Sequence, residues 1–424
     1  MRARLWPSVL FGVLGVAGVA LGQSVTVSPR VQSGDVATGP LLPVIWENPV
    51  DPSASRVYAV DGSGDLLQFL LDGSSDASAS LGARDVAVAY DVPMGGEVSD
   101  VLVVGTGANV LSFFTLDPET GALTVAGPDL PVLTASASTL DRVAVYQSPL
   151  SEQFYAFVAD RTGNVEQWQF FADSSGALTA SKVDPRGIGL GEQLGGWVVD
   201  EADMRVYVTG RSQGLYRFDA EPGGEGLSLV DSTSGGAGDL VPPVGGVALY
   251  RAHGDGYLVV ANTGSSDFAL YNRGPGTAND FVTRFQIGAG NGLDGVQSPV
   301  GLAVMSFGLG SAFPKGLLVA QDGFSASGQT DLKYVAWSDL ATAAGLATPD
   351  ATDNPHGSLE GTDGGTADGG TGGGGGAGGG PAGGGAGPAP HSGCSAASTT
   401  LGGLGFLALL ALALRRRRGL RRLG

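Results

Sequence analysis

The sequence predicts an all-β fold, a single six-bladed β-propeller, on three observations. One pattern occurs six times: a β-branched or aromatic run, a Gly/Asp/Asn/Ser turn and a second alternating run, which is a hairpin signature. The repeats start roughly 44–60 residues apart, near the ~40–50 residues of a propeller blade. A further short apolar segment precedes most repeats, giving three to four antiparallel strands per unit.

The first repeat runs from Arg56 through Asp61-Gly-Ser-Gly-Asp65 to Phe69, and the second from Asp100 through Gly105-Thr-Gly-Ala-Asn109 to Phe113. The third runs from Phe154 through Asp160-Arg-Thr-Gly-Asn164 to Trp168, and the fourth from Arg205 through Gly210-Arg-Ser-Gln-Gly214 to Phe218. The fifth runs from Gly256 through Asn262-Thr-Gly-Ser-Ser-Asp267 to Tyr271, and the last from Gly316 through Asp322-Gly323 to Trp337. Segments 85–90, 142–146, 196–200, 246–250 and 301–305 supply the preceding strands. A strand at 25–31 is expected to complete the last blade, closing the ring and removing open edges. The propeller is thus placed at 24–345.

The ends have a different logic. Residues 1–23 read as a secretory signal peptide, with Arg2 and Arg4, an apolar stretch at 9–21, and a small-residue cleavage site at Ala20-Leu-Gly22. Residues 346–391 read as a Gly-rich flexible linker, because such a composition cannot bury a core. A tail at 392–424 comes next: Ser392-Gly-Cys394, an apolar segment at 399–414, and an arginine cluster at 415–418 and 421–422. The apolar segment is short for a permanent transmembrane span, and arginines behind it would hold that end in the cytoplasm.

The net charge of −18 falls to −26 once Arg2, Arg4 and the six tail arginines are set aside. So acidic a body argues against nucleic acid and anionic membranes as partners and suits cations. Cys394 is the only cysteine, so the propeller has no disulfide, thiolate metal site or cysteine nucleophile. Histidine is scarce: His253 is in the body, while His356 and His391 fall in or near the linker, which argues against histidine-ligated zinc. No Gly-x-Ser-x-Gly elbow and no phosphate loop ending in Gly-Lys-Ser/Thr occurs. The Asp61-Gly-Ser-Gly-Asp65 turn could wrap calcium through oxygens, though aspartate is common in hairpin turns for purely structural reasons.

Several segments carry a family resemblance. Val145-Tyr-Gln-Ser-Pro149, Phe154-Tyr-Ala-Phe-Val158 and Gly163-Asn-Val-Glu-Gln-Trp168 resemble one blade of the β-propeller phytases (3-phytases). Phe268-Ala-Leu-Tyr-Asn-Arg273, Phe313-Pro-Lys-Gly-Leu-Leu-Val-Ala-Gln-Asp-Gly323 and Leu332-Lys-Tyr-Val-Ala-Trp337 extend the likeness, which covers about 35–345. It implies a secreted, calcium-dependent phosphomonoesterase acting on myo-inositol hexakisphosphate (phytate). Carboxylates from several blades would hold calcium at the channel mouth, and cationic side chains would bind neighbouring phosphates. The tail resembles the MYXO-CTERM sorting tags of myxobacterial surface proteins. That resemblance implies a sortase-like processing protease acting near Cys394 and attachment to the outer surface of a Gram-negative, myxobacterial cell.

The chain departs from the phytase pattern at its carboxylates. The family's Glu-Gly becomes Gly195-Gly196, its paired glutamates become Gly210-Arg211, its Asp-x-Glu-Gly becomes Pro243-Val-Gly245-Gly246, and its Thr-Asp-Gly-Ile-Asp becomes Pro299-Val-Gly-Leu-Ala303. Tyr155, Arg161, Arg211 and Lys333 stay as candidates for phosphate, and Asp61, Asp65, Asp294 and Asp322 for a metal. Two functions are consistent with this pattern. One is a phytase with a degenerate calcium site and doubtful activity; the other is a non-catalytic surface propeller that binds an anionic ligand or a protein partner.

Overall fold

The computed structural model describes residues 25–183, 187–252, 255–274, 279–347 and 354–357. The signal peptide, most of the linker, the apolar tail segment, Cys394, His253 and His391 lie outside the described residues. Among the described residues no helix is long and apolar enough to cross a membrane.

Six sheets of antiparallel strands are arranged around a ring. In blades 1 to 3 the innermost strands are Leu42–Trp46, Ala83–Met94 and Leu140–Gln147; in blades 4 to 6 they are Leu194–Asp200, Val247–Ala252 and Leu302–Met305. Each innermost strand lies against the next, and that of blade 6 lies against that of blade 1, so the ring is closed. All six therefore begin at one mouth of the central channel, the start-side mouth, and finish at the other, the end-side mouth. The turn joining the second and third strands of every blade also falls on the start side.

Period-two alternation places apolar side chains on both faces of each sheet, and both faces meet a neighbour. Six hydrophobic clusters result, each shared by two adjacent blades. The wedge between blades 5 and 6 also takes the helix Trp337–Ala344, whose Trp337 stacks on Tyr250 at 3.8 Å between ring centroids. A buried ion pair crosses one wedge: Arg273 of blade 5 forks onto both oxygens of Asp200 of blade 4, at 2.6 and 2.8 Å. Bidentate geometry satisfies both ions where water cannot reach them.

The strand expected at 25–31 is divided in two. Val25–Val27 pairs in parallel with Phe281–Ile287 and becomes a fifth strand of blade 5. Val31–Gln32 pairs antiparallel with Asp331–Ala336 and forms the outer strand of blade 6. Pro29, which has no backbone N–H to give a ladder, lies between them and marks the crossing from one blade to the next. The amino-terminal segment thus closes the last blade as expected, and staples the one before it as well.

Candidate functional site

The start-side mouth is built from the first residues of the inner strands and the second-to-third turns. Every candidate residue lies on this face except Tyr155. That residue sits at the other end of Phe154–Asp160, about 20 Å from Arg161 along the strand. Tyr155 is buried, donates its hydroxyl to Gln153 and stacks on Tyr146.

Arginines gather where blades 3 and 4 meet. Arg142, the third residue of its strand, is 5% exposed. Its guanidinium reaches across to the carbonyl oxygens of Leu194 and Gly195 at 3.4 and 3.2 Å, while its Nε has no hydrogen-bond partner among the described residues. Asp141 lies 3.4 Å from Arg142 and 3.7 Å from the exposed Arg161, and accepts from Gln193 Nε2. Arg211 completes the group. Burial lowers its pKa, Arg142 adds to that, and Asp141 and Glu192 oppose it. Behind them Asp85 accepts from the Val143 amide; burial raises its pKa to about 6 against the pull of Arg142. Sequence reasoning missed Asp141, Arg142 and Gln193. The available signal was the Asp-Arg pair opening an inner strand, repeated in reverse as Arg84-Asp85 one blade earlier.

The positions where the family pattern carries carboxylates are filled by close backbone packing. A Cβ on Gly195 would lie 2.5 Å from the Val244 oxygen, and one on Gly245 would lie 2.8 Å from the Pro299 oxygen. Thr209 Oγ1 donates to the Gly245 carbonyl at 2.6 Å, and Thr263 donates to that of Pro299. Blades 4, 5 and 6 are thereby drawn together at this mouth.

The metal candidates are held by their own turns. Asp61 accepts from Thr38, from the amide and hydroxyl of Ser63, and from the amide of Asp65. Asp160 repeats this with Ser136, Thr162 and Asn164, so the pattern belongs to the hairpin itself. In blade 6, Asp294, Asp322 and Asp331 converge closely enough to hold a cation. The fully buried Lys333 places its ammonium among them, at 2.5 Å from Asp294, 2.7 Å from Asp331 and 3.6 Å from Asp322. Burial raises the pKa of Asp331 to about 6 even so. Lys333 is therefore committed to carboxylates rather than turned to the mouth.

Calcium requires six to eight oxygens. Gly195, Gly210, Gly245, Val300 and Ala303 offer no side-chain oxygen at the start-side mouth, and a guanidinium lies on the Gly195 carbonyl.

The end-side mouth carries a second group that the sequence did not point to. His356, placed by sequence in the linker, is seated on the propeller. Its Nδ1 lies 3.1 Å from Asp91 Oδ1, its Nε2 lies 3.1 Å from Glu47 and 3.5 Å from Asp100, and its ring meets Tyr90 edge-on. Burial lowers the pKa of His356, and Glu47, Asp100 and Asp91 outweigh it, raising it to about 9.

A closed ring of six blades, four of them four-stranded and two five-stranded, defines the class as a six-bladed β-propeller. The chain belongs to the phytase family, whose profile matches residues 8–356. It is similar to a 3-phytase of Bacillus subtilis (strain 168), 30% identical over 331 residues, which is 76% of this chain and 84% of that protein. Among solved structures, BBS1N in complex with ARL6DN, soaked with lead, matches at a TM-score of 0.41 and 15% identity, over 74% of this chain and 97% of that one.

Proposed function

We propose that this phytase-family propeller binds a multiply phosphorylated small molecule of the phytate class at its start-side mouth, and that its phosphomonoesterase turnover is slow or lost. The observation that supports this most directly is the grouping of Arg142, Arg161 and Arg211 around Asp141, at a mouth without carboxylates on Gly195, Gly210 and Gly245. Guanidinium forks match phosphate oxygens and form charge-assisted hydrogen bonds. A bound calcium would lower the pKa of an attacking water and neutralise charge on the phosphate. These residues position an anion, and none of them replaces that activation. Efficient calcium-dependent phytate hydrolysis is the second reading, favoured by the family match and the 3-phytase relative.

Phosphate release from phytate, with and without calcium, separates the two. The first reading expects calorimetric binding of phytate without calcium, weakened by about tenfold or more in Arg161→Ala/Arg211→Ala, with turnover far below ~1 s⁻¹. Calcium-dependent turnover at ordinary enzyme rates establishes the second. For the cell context we propose export through residues 1–23 and processing near Cys394 for surface attachment. Mass spectrometry of mature surface protein should find no peptides from 404–414; their recovery would show an uncleaved anchor.

A further inference from the structure

We propose that His356 is an ionic clasp. Its imidazolium, seated among Glu47, Asp91 and Asp100, fastens the short strap 354–357 to the end-side mouth and fixes the point from which the tether leaves the propeller.

The strap is shaped to present the ring. Asn354 Oδ1 accepts from the His356 amide at 2.9 Å, and the Gly357 amide donates to the Asn354 carbonyl at 2.9 Å, so 354–357 is a closed turn. The imidazole stands edge-on to the Tyr90 ring at 5.0 Å. Both of its nitrogens meet carboxylates: Nδ1 lies 3.1 Å from Asp91, and Nε2 lies 3.1 Å from Glu47 and 3.5 Å from Asp100. These three acids come from three elements. Glu47 directly follows Leu42–Trp46 of blade 1, Asp91 belongs to Ala83–Met94 and Asp100 to Glu97–Thr106 of blade 2. One ring on the strap thus ties itself to two neighbouring blades at once.

The energetics favour a seated cation. Glu47 is 2% exposed, and a buried carboxylate is costly unless a cation offsets it. Trp46 Nε1 and the Asp91 amide donate to Asp100, which fixes that acid in place. The charge of Glu201 in blade 4 also reaches Tyr90, while Arg251 of blade 5 lies 3.2 Å from Glu201. The raised pKa of about 9 sets the sign of the pH dependence: the clasp is fully made below about pH 6.5 and is lost as pH rises through 9. A Gly-rich tether has no stiffness of its own, so its exit point is set by what fastens the chain just before it. That point lies on the face opposite Arg161 and Arg211 and leaves the anion-binding mouth clear.

The test is NMR of the full chain labelled at its three histidines. The imidazole signals lost in His356→Gln belong to the clasp, and they are expected to titrate near pH 9. Glu47→Gln and Asp91→Asn should each bring that titration down by about one pH unit or more. Asp91 has φ 52°, a conformation asparagine adopts readily, so that variant keeps the backbone. His356→Ala alters the strap and no blade. It should lower the melting temperature by about 2–5 °C at pH 7 and leave it unchanged at about pH 10.5, with the circular dichroism of the propeller retained. A His356 ring that titrates near pH 6.5, a titration that neither acid variant moves, or a His356→Ala melting temperature equal to wild type at pH 7 would each overturn the proposal.

Discussion

A Cβ added to Gly195 would lie 2.5 Å from the Val244 carbonyl oxygen and 2.6 Å from Thr209 Oγ1, and closer still to the Gly245 oxygen. Real side chains do not tolerate such contacts with backbone, so a side chain at this position would require blades 4 and 5 to move apart. Gly195→Glu should therefore lower stability by about 1–3 kcal/mol in urea unfolding, and should not create a calcium site. Gly210 differs in kind, since a Cβ there first meets the movable end of Glu192. Asp85 makes a separate prediction about pH. Burial raises its folded pKa to about 6, above the unfolded value, so its protonated form is the one the fold favours. Its contribution is best below about pH 4 and is lost as pH rises through 6, by at most about 3 kcal/mol. Asp85→Asn keeps an acceptor for the Val143 amide and should raise the melting temperature at pH 8 while changing it little at pH 4. A wild-type-like melting temperature at both pH values would refute this.

The blade 6 hairpin shows what one element can hide. Asp322 and Asp331 face each other across the two strands, Asp294 comes from the preceding loop, and the Lys333 ammonium lies among them. Lys333→Ala removes the cation from this buried triad, and a cost of about 3–5 kcal/mol is expected. The cavity it leaves has converging oxygens, so millimolar calcium should recover part of the lost stability in the variant and not in the wild type. Thermal melts with calcium and with magnesium measure this directly. The hairpin was legible in the sequence because turn residues and alternation are local signals, and Asp61, Asp160 and Asp322 announce the same turn each time. The triad was not legible as a closed ion cluster, because its members are separated along the chain and only the register brings them together. His356 was hidden for a related reason. Composition placed it in a Gly-rich region, and its three carboxylate neighbours come from blades 1 and 2, more than 250 positions earlier in the chain.

At the scale of the molecule, six wedges of apolar contact hold the blades, and the ring is completed by residues from its two extremities. The six-fold repeat was readable because each blade is written in contiguous sequence. The division of the amino-terminal strand between blades 5 and 6 was not, since a proline marks a break in pairing without saying which sheet the next residues will join. Removing residues 25–32 strips the outer strand from blade 6 and the parallel strand from blade 5. It deletes the Arg30–Tyr334 hydrogen bond outright and disturbs the neighbouring Ser33–Leu332 pairing. A loss of about 2–4 kcal/mol is expected by denaturant unfolding, with protease cleavage appearing first in 316–336. The same pairing sets an order in time. Val31 meets Tyr334 only across nearly the whole propeller, and drawing ends about 300 residues apart together costs about 5 kcal/mol in chain entropy. Five blades must exist before that contact is worth forming, so Val31–Gln32, made near the start, is among the last strands to find its place. Until then the growing polypeptide carries Val31–Gln32 unpaired, and a chain halted between residues 287 and 331 can seat Val25–Val27 on blade 5 but has nothing for Val31–Gln32 to join.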